Sequence, residues 1–420
     1  MTEPRPDQQS TSGAPVIIAG GGFAGLYTAL ALAERRNPPP ILLIEPNERF
    51  LFLPLLYELL SEELRCWEVA PRYDSLLAGR GVAWLRDRVE GIDTQNHALR
   101  TKQGRTLTYR RLVLATGSRP TSFGVPGVEE HAIGFHNLAD VERLHGLICH
   151  LRRRQLPLQR LAIVGAGPSG VELACKLADL LQGAAVIELI EQGRELLPQA
   201  RSFNREQASS ALLRRDVRLR NQTRVLAVEP GRIELARDPV AGETPSPESL
   251  AVDAVIWTAG VVANTPELTP PAPLDRRGRL LCHASLQLQE HPDLFAIGDL
   301  AHITDADGAA LPATAQVAIQ QADHLAGNLQ RSLAGDPLEP FFWQDLGEMI
   351  SLGVGEASLT GLGLTLAGQT AYRLRQLTYL SRLPGRSHQL RVAAGWLSDL
   401  GRPLFGSTPS GAQPHTAPGS

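Results

Sequence analysis

Two sets of glycines share one spacing: Gly20, Gly22 and Gly25, then Gly165, Gly167 and Gly170. The pattern G-x-G-x-x-G lets a backbone approach a pyrophosphate without Cβ atoms in the way. It also opens a helix whose first N–H groups meet the charge. About 20 residues beyond each set stands an acid, Glu45 and Glu191, placed to accept hydrogen bonds from a ribose diol. A third signal is Gly298-Asp299, where an aspartate at a strand end can accept a hydrogen bond from a polyol chain. Gln316 and Gln320 lie four apart, hence on one helix face, and neutral amides can bond carbonyl oxygens without placing a charge in an apolar pocket. Glu172 follows Gly170 closely, near the start of the second helix, where the helix dipole favours a carboxylate.

These groups need elements to hold them. Residues 16–19 read as a buried strand, 26–36 as an Ala- and Leu-rich helix stopped by Pro38-Pro39-Pro40, and 41–44 as a second strand ending at Glu45. The same βαβ pattern returns at 161–164, 171–181 and 186–190, ending at Glu191. A third matched pair, 112–117 and 255–260, closes on Ala115-Thr116-Gly117 and on Thr258-Ala259-Gly260. Two dinucleotides on one chain point to one held tightly and one exchanging. Flavin adenine dinucleotide and a nicotinamide nucleotide are the pair between which hydride passes. Residues 218–229 and 232–236 read as hairpin strands, 293–297 as a short strand, and 312–333 as a helix with the apolar stripe Ala315, Ala318, Ala322, Leu325 and Leu329. Residues 341–366 are mixed and Gly-rich, and the tail from 407 has a disorder-like composition.

The 420 residues are 43% hydrophobic and 20% charged, enough for a sizeable core. A net charge of −3 gives no bulk attraction to nucleic acid, and none is expected as partner. Cys66, Cys149, Cys175 and Cys282 form no C-x-x-C pair, so a dithiol redox site lacks support and buried reduced thiols are expected. No histidine pair has helical metal-binding spacing, and no metal is expected. The uncharged stretch 13–33 is long enough for a membrane helix, but its glycines suit a strand, turn and helix better. Residues 372–404 carry Arg373, Arg375, Arg382, Arg386, Arg391 and Arg402 against Asp399, interleaved with Leu374, Leu377, Tyr379, Leu380, Leu390, Trp396 and Leu397. Such a segment suits the surface of an anionic membrane; the alternative is a helix packed on the protein with solvated arginines.

The runs G-A-G-P-S-G-V-E at 165–172 and L-F-A-I-G-D at 294–299 resemble the two-dinucleotide-binding flavoproteins. Ala315-Gln316-Val317-Ala318-Ile319-Gln320 resembles the A-Q-x-A-x-Q quinone-site motif of the type II NAD(P)H dehydrogenases. Residues 50–60 and 67–72 are similar to the phototroph and plastid branch, which includes demethylphylloquinone reductases of phylloquinone (vitamin K1) synthesis. The resemblance implies an α/β fold of two Rossmann-like domains, one inserted in the other. The expected division is a flexible 1–14, an FAD-binding domain at 15–118 and 285–340, an NAD(P)H-binding domain at 119–284, a membrane- and quinone-associated segment at 341–404, and a disordered tail at 405–420. FAD is expected to be tightly but non-covalently bound, with NADH or NADPH as co-substrate. The expected cofactor-binding residues are Gly20, Gly22, Phe23, Ala24, Gly25, Glu45, Val89, Ala115, Thr116, Gly117, Gly165, Gly167, Pro168, Ser169, Gly170, Glu191, Gly260, Gly298 and Asp299. Gln316, Gln320 and Glu172 are the expected catalytic residues, Glu172 as a modulator of quinone protonation beside its helix-dipole reading.

The implied reaction is hydride transfer from NAD(P)H to FAD, then two electrons to a prenylated naphthoquinone or a plastoquinone-type benzoquinone. The implied place is the cytoplasmic side of a thylakoid or plasma membrane, bound peripherally through 372–404, and a homodimer is compatible. Glu191 favours the 2′-hydroxyl of NADH, whereas Arg194 and Arg201 could soften its repulsion of a 2′-phosphate and the resembled branch is associated with NADPH, so the preference stays open. Two alternatives are a soluble FAD-dependent reductase of a protein acceptor and a low-turnover flavin redox sensor.

Overall fold

The computed structural model describes residues 13–154, 156, 158–237, 247–305 and 307–399. The expectations for 1–12 and for 400–420, Arg402 among them, lie outside the described residues. The chain opens with β1 (Val16–Ala19), α1 (Phe23–Ala33) and β2 (Ile41–Ile44). All four residues of β1 are buried, as a central parallel strand requires, and each of its large side chains stabilises the core by about 1.5–3 kcal/mol. Next come α2 (Leu56–Leu60), β3 (Val82–Leu85) and β4 (Arg111–Leu114). The second unit holds β5 (Ala132–Ile133), β6 (Arg160–Val164), α3 (Pro168–Leu181), β7 (Val186–Ile190), β8 (Arg218–Arg220) and β9 (Ala254–Trp257). The chain then returns with β10 (Gln287–Leu288), β11 (His291–Ala296) and α4 (Ala315–Ala334). It continues through β12 (Glu348–Ser351), β13 (Ala357–Gly361), β14 (Leu364–Gly368), α5 (Gln369–Arg382) and α6 (Arg386–Asp399).

The first sheet has the order β10-β11-β4-β1-β2-β3, and the second β8-β7-β6-β9-β5. The first therefore draws strands from both sides of the second along the chain. In both, the βαβ strands pair in parallel: Val16 with Ile41 and Arg111, Leu161 with Ile187 and Ala254. Helix α1 is apolar almost all round because it lies against both the sheet and α4. Helix α4 starts at Ala315 rather than at 312: the Thr314 hydroxyl caps it by accepting from the Val317 N–H at 3.3 Å.

The Gly-rich stretch expected to be mixed is an antiparallel three-stranded sheet, β12-β13-β14, leading into α5. Two sequence expectations are corrected. Cys66 and Cys149 are exposed; only Cys175 and Cys282 are buried. Arg375, counted among the membrane-facing arginines, is 1% exposed and paired with Glu58 on α2. A charge is tolerated inside only with such a partner, and α2 lies too far away in sequence for the pair to be read from it.

Candidate active site

The two glycine turns are built alike. Gly20 and Gly165 both have φ +100°, a region L side chains rarely enter, and a Cβ at Gly25 or Gly170 would overlap the carbonyl oxygen of Gly20 or Gly165. At the N-caps of α1 and α3, Gly22 and Gly167 have nothing within 4 Å of a Cβ position, which leaves an open face beside the first N–H groups of each helix. The acids occupy equivalent places: Glu45 accepts the Gly21 N–H at 2.8 Å, and Glu191 the Ala166 N–H at 2.7 Å. A side chain at Gly20 would strike Ala115, and one at Gly165 would meet Ala259 at 3.0 Å, so the third matched pair of segments closes each cradle.

Other expected residues gather around these cradles. Phe23 meets Phe50 and Phe52 edge-on at 5.3 and 5.1 Å, and Val89 is buried in the same core as Ala115. Ala24 stands 3.1 Å from a Cβ position at Gly298, which brings the Gly298-Asp299 turn onto the N-terminus of α1. Asp299 accepts the Ser118 hydroxyl at 2.7 Å beside Gly117, and the Thr116 hydroxyl donates to the Asn264 carbonyl at 2.7 Å. The turn itself is held by Gln321, whose Oε1 accepts the Gly298 N–H at 2.8 Å. Gln321 was missed in the sequence, although it adjoins Gln320.

The second cradle opens into a cleft of about 550 Å³ that includes Gly165, Gly167, Glu191, Arg224, Gly260 and Phe123. Pro168 and Ser169 form the first turn of α3 behind it. Glu191 is fixed at both oxygens, the second accepting the Gly193 N–H at 2.7 Å. Arg201, expected to soften this carboxylate, instead pairs with Asp345 at 2.7 Å, and Arg224 is the basic residue in the cleft.

Gln316 and Gln320 do share one face of α4, but their amides are engaged with the segment that follows it. Gln316 accepts the Leu346 N–H at 3.0 Å and donates to the Gly347 carbonyl at 3.1 Å. Gln320 binds Gln344 both ways, at 3.0 and 2.9 Å. Glu172 is buried on α3, where it accepts the Ser351 N–H of β12 at 2.8 Å and interacts with Tyr57 and Glu58 of α2 and Arg375 of α5. Burial pushes its carboxyl up to about 7, against the pull of Arg375, the Ser351 N–H and Tyr57. Among the described residues no helix is long and apolar enough to cross a membrane.

Residues 14–322 match the model of the pyridine nucleotide-disulphide oxidoreductase family. A demethylphylloquinone reductase of Synechocystis sp. is 38% identical over 412 residues, covering 96% of this chain and 98% of the relative. The chain belongs to the pyridine nucleotide-disulphide oxidoreductases, in their type II NAD(P)H dehydrogenase group. An alternative NAD(P)H-ubiquinone oxidoreductase of Arabidopsis thaliana is 34% identical, with 91% of this chain and 80% of the relative covered. In fold, the NDH2 of Plasmodium falciparum in complex with NADH superposes with a TM-score of 0.80 at 17% identity, over 94% of this chain and 100% of that one. As in its family, this dehydrogenase-type chain takes FAD and NAD(P)H, and its two cradles fit two dinucleotides.

Proposed function

We propose that this chain oxidises NAD(P)H and reduces a prenylated naphthoquinone of the demethylphylloquinone kind at a membrane surface. What carries the reading is the joining of two like cradles to one buried acid, Glu172, on the helix that leaves the second cradle. The names of the relatives from Synechocystis and Arabidopsis support it. Held in the first cradle by the Gly20–Gly25 turn and Glu45, FAD would supply the chemistry of accepting a hydride and donating two electrons between NAD(P)H and a quinone. The residues around it have distinct tasks. Gly20, Gly22 and Gly25 leave room for the pyrophosphate, Glu45 receives the ribose, and Asp299, oriented by Ser118, receives the ribityl chain. Glu191 is held rigid by two N–H donors and favours the free 2′-hydroxyl of NADH.

The overall conversion, NAD(P)H + H⁺ + quinone to NAD(P)⁺ + quinol, takes up one proton. Glu172 exchanges that proton at its carboxyl; a group titrating near neutrality can both hold and release it. Gln316 and Gln320 keep the 343–347 segment on the acceptor side of α4, and an amide released from it is suited to a quinone carbonyl. On α5 and α6, Leu377, Leu390 and Leu397 are 60%, 71% and 70% exposed beside the exposed Arg373, Arg386 and Arg391. These exposed apolar and basic side chains meet anionic lipid on the cytoplasmic side of a thylakoid or plasma membrane.

The test is NAD(P)H oxidation with vesicles carrying a prenylated naphthoquinone or benzoquinone, compared with ferredoxin and a disulfide substrate. The naphthoquinone should give the highest kcat/KM. Faster turnover with ferredoxin or the disulfide, or slow turnover with every quinone, would overturn the reading.

A further inference from the structure

The region where α2, α3 and α5 meet contains more buried charge than proton exchange at one carboxylate requires. Three acids lie there, Glu58, Glu63 and Glu172, against two cations, Lys176 and Arg375. Glu58, Lys176 and Arg375 are at most 1% exposed. Lys176 is in contact with Glu63, and Arg375 with Glu58. Arg375 also donates to the Pro54 carbonyl at 2.7 Å and lies 4.7 Å from the centre of the Tyr379 ring. Glu172 is the acid left without a cation in contact. The Glu58–Arg375 pair is itself not saturated, because Glu58 Oε2 and Arg375 Nε are buried without a hydrogen-bond partner. A buried ion pair contributes little net stability and is often replaceable by apolar residues, so its presence beside an odd acid calls for another role.

We propose that the Glu58–Arg375 pair is a positioning pair for the quinone half-reaction, whose opposed charges set whether Glu172 carries a proton when the acceptor is reduced. This rests on the reading of Glu172 as the acceptor-side proton-exchanging group. Around Glu172, α2 offers Tyr57 and Glu58, with Glu63 just beyond its end, β12 the Ser351 N–H, α5 Arg375 and Tyr379, and its own helix Ser169, Cys175 and, one turn on, Lys176. Lys176 and Glu63 are engaged with each other, whereas Glu58 and Arg375 act on Glu172 with opposite sign: Arg375 favours the carboxylate and Glu58 the acid. Because α5 belongs to the segment proposed to meet lipid, the pair also ties the proton-exchanging group to the membrane-facing helices.

The test measures the Glu172 carboxyl by difference infrared titration of the FAD-bound protein, alongside the pH profile of flavin reoxidation by a naphthoquinone. Arg375→Met should move both midpoints up by about one unit, and Glu58→Gln should move both down by a similar amount. Arg375→Lys should return the midpoint toward wild type. The double variant Glu58→Gln/Arg375→Met removes both charges, guards against loss of fold from one unpaired ion, and should bring the midpoint back near wild type. Shifts of both single variants in the same direction, or no shift in any of them while Glu172→Gln abolishes the signal, would overturn the proposal. A pH profile unchanged by Glu172→Gln would instead remove the reading of Glu172 on which it rests.

Discussion

Replacing Glu172 by glutamine should stabilise the protein, and more so as the pH rises. Burial and its neighbours raise the Glu172 carboxyl from 4.5 to about 7. The folded state therefore holds this proton more tightly than the unfolded chain does. Stability then falls as pH rises from about 4.5 to about 7 and levels off above that window. At 1.36 kcal/mol per unit, the carboxyl's contribution against folding reaches about 3 kcal/mol at alkaline pH. Glutamine cannot ionise, yet it keeps an oxygen for the Ser351 N–H that Glu172 now accepts at 2.8 Å. The advantage of the variant should therefore grow by about 2–3 kcal/mol between pH 5 and pH 8. Urea unfolding of the FAD-bound protein at several pH values measures it. A difference that is the same at pH 5 and pH 8, or a variant that is the less stable at pH 8, would refute the reasoning.

Other outcomes follow from the same contacts. Glu191→Gln removes the charge that two N–H groups hold at the ribose position, and should shift the kcat/KM ratio toward NADPH by about tenfold, or about 1.4 kcal/mol; an unchanged ratio counts against its role. Lys176→Met leaves the half-buried Glu63 without its cation, though still accepting from Gly355 and Tyr372, and should lower stability by about 2–3 kcal/mol in thermal or chemical unfolding. Leu390→Glu together with Leu397→Glu should abolish co-sedimentation with anionic vesicles, while a variant that still sediments would place the lipid contact elsewhere.

The cradles were legible in the sequence because their determinants are local: a glycine spacing, an apolar strand on either side, and an acid at the next strand end. The internal repeat made them more so, and Gly20 with Gly165 and Glu45 with Glu191 do occupy matching places. Helical periodicity put Gln316 and Gln320 on one face, but it could not say that residues 344–347 take up their amides. Periodicity also misled at Arg375. In sequence it reads as one more basic residue on an amphipathic helix, and only the packing of α5 against α2 turns it inward onto Glu58. Gln321 was hidden because one step round the helix separates a buried turn-holding amide from the partly exposed Gln320.

The central claim, that electrons pass from NAD(P)H through the flavin to a membrane quinone, is tested most directly by anaerobic double mixing. NADH or NADPH should bleach the flavin absorbance, and a prenylated naphthoquinone added next should restore it as fast as steady-state turnover requires. Absence of a flavin spectrum, or a bleached flavin that no quinone restores at that rate, would contradict the account.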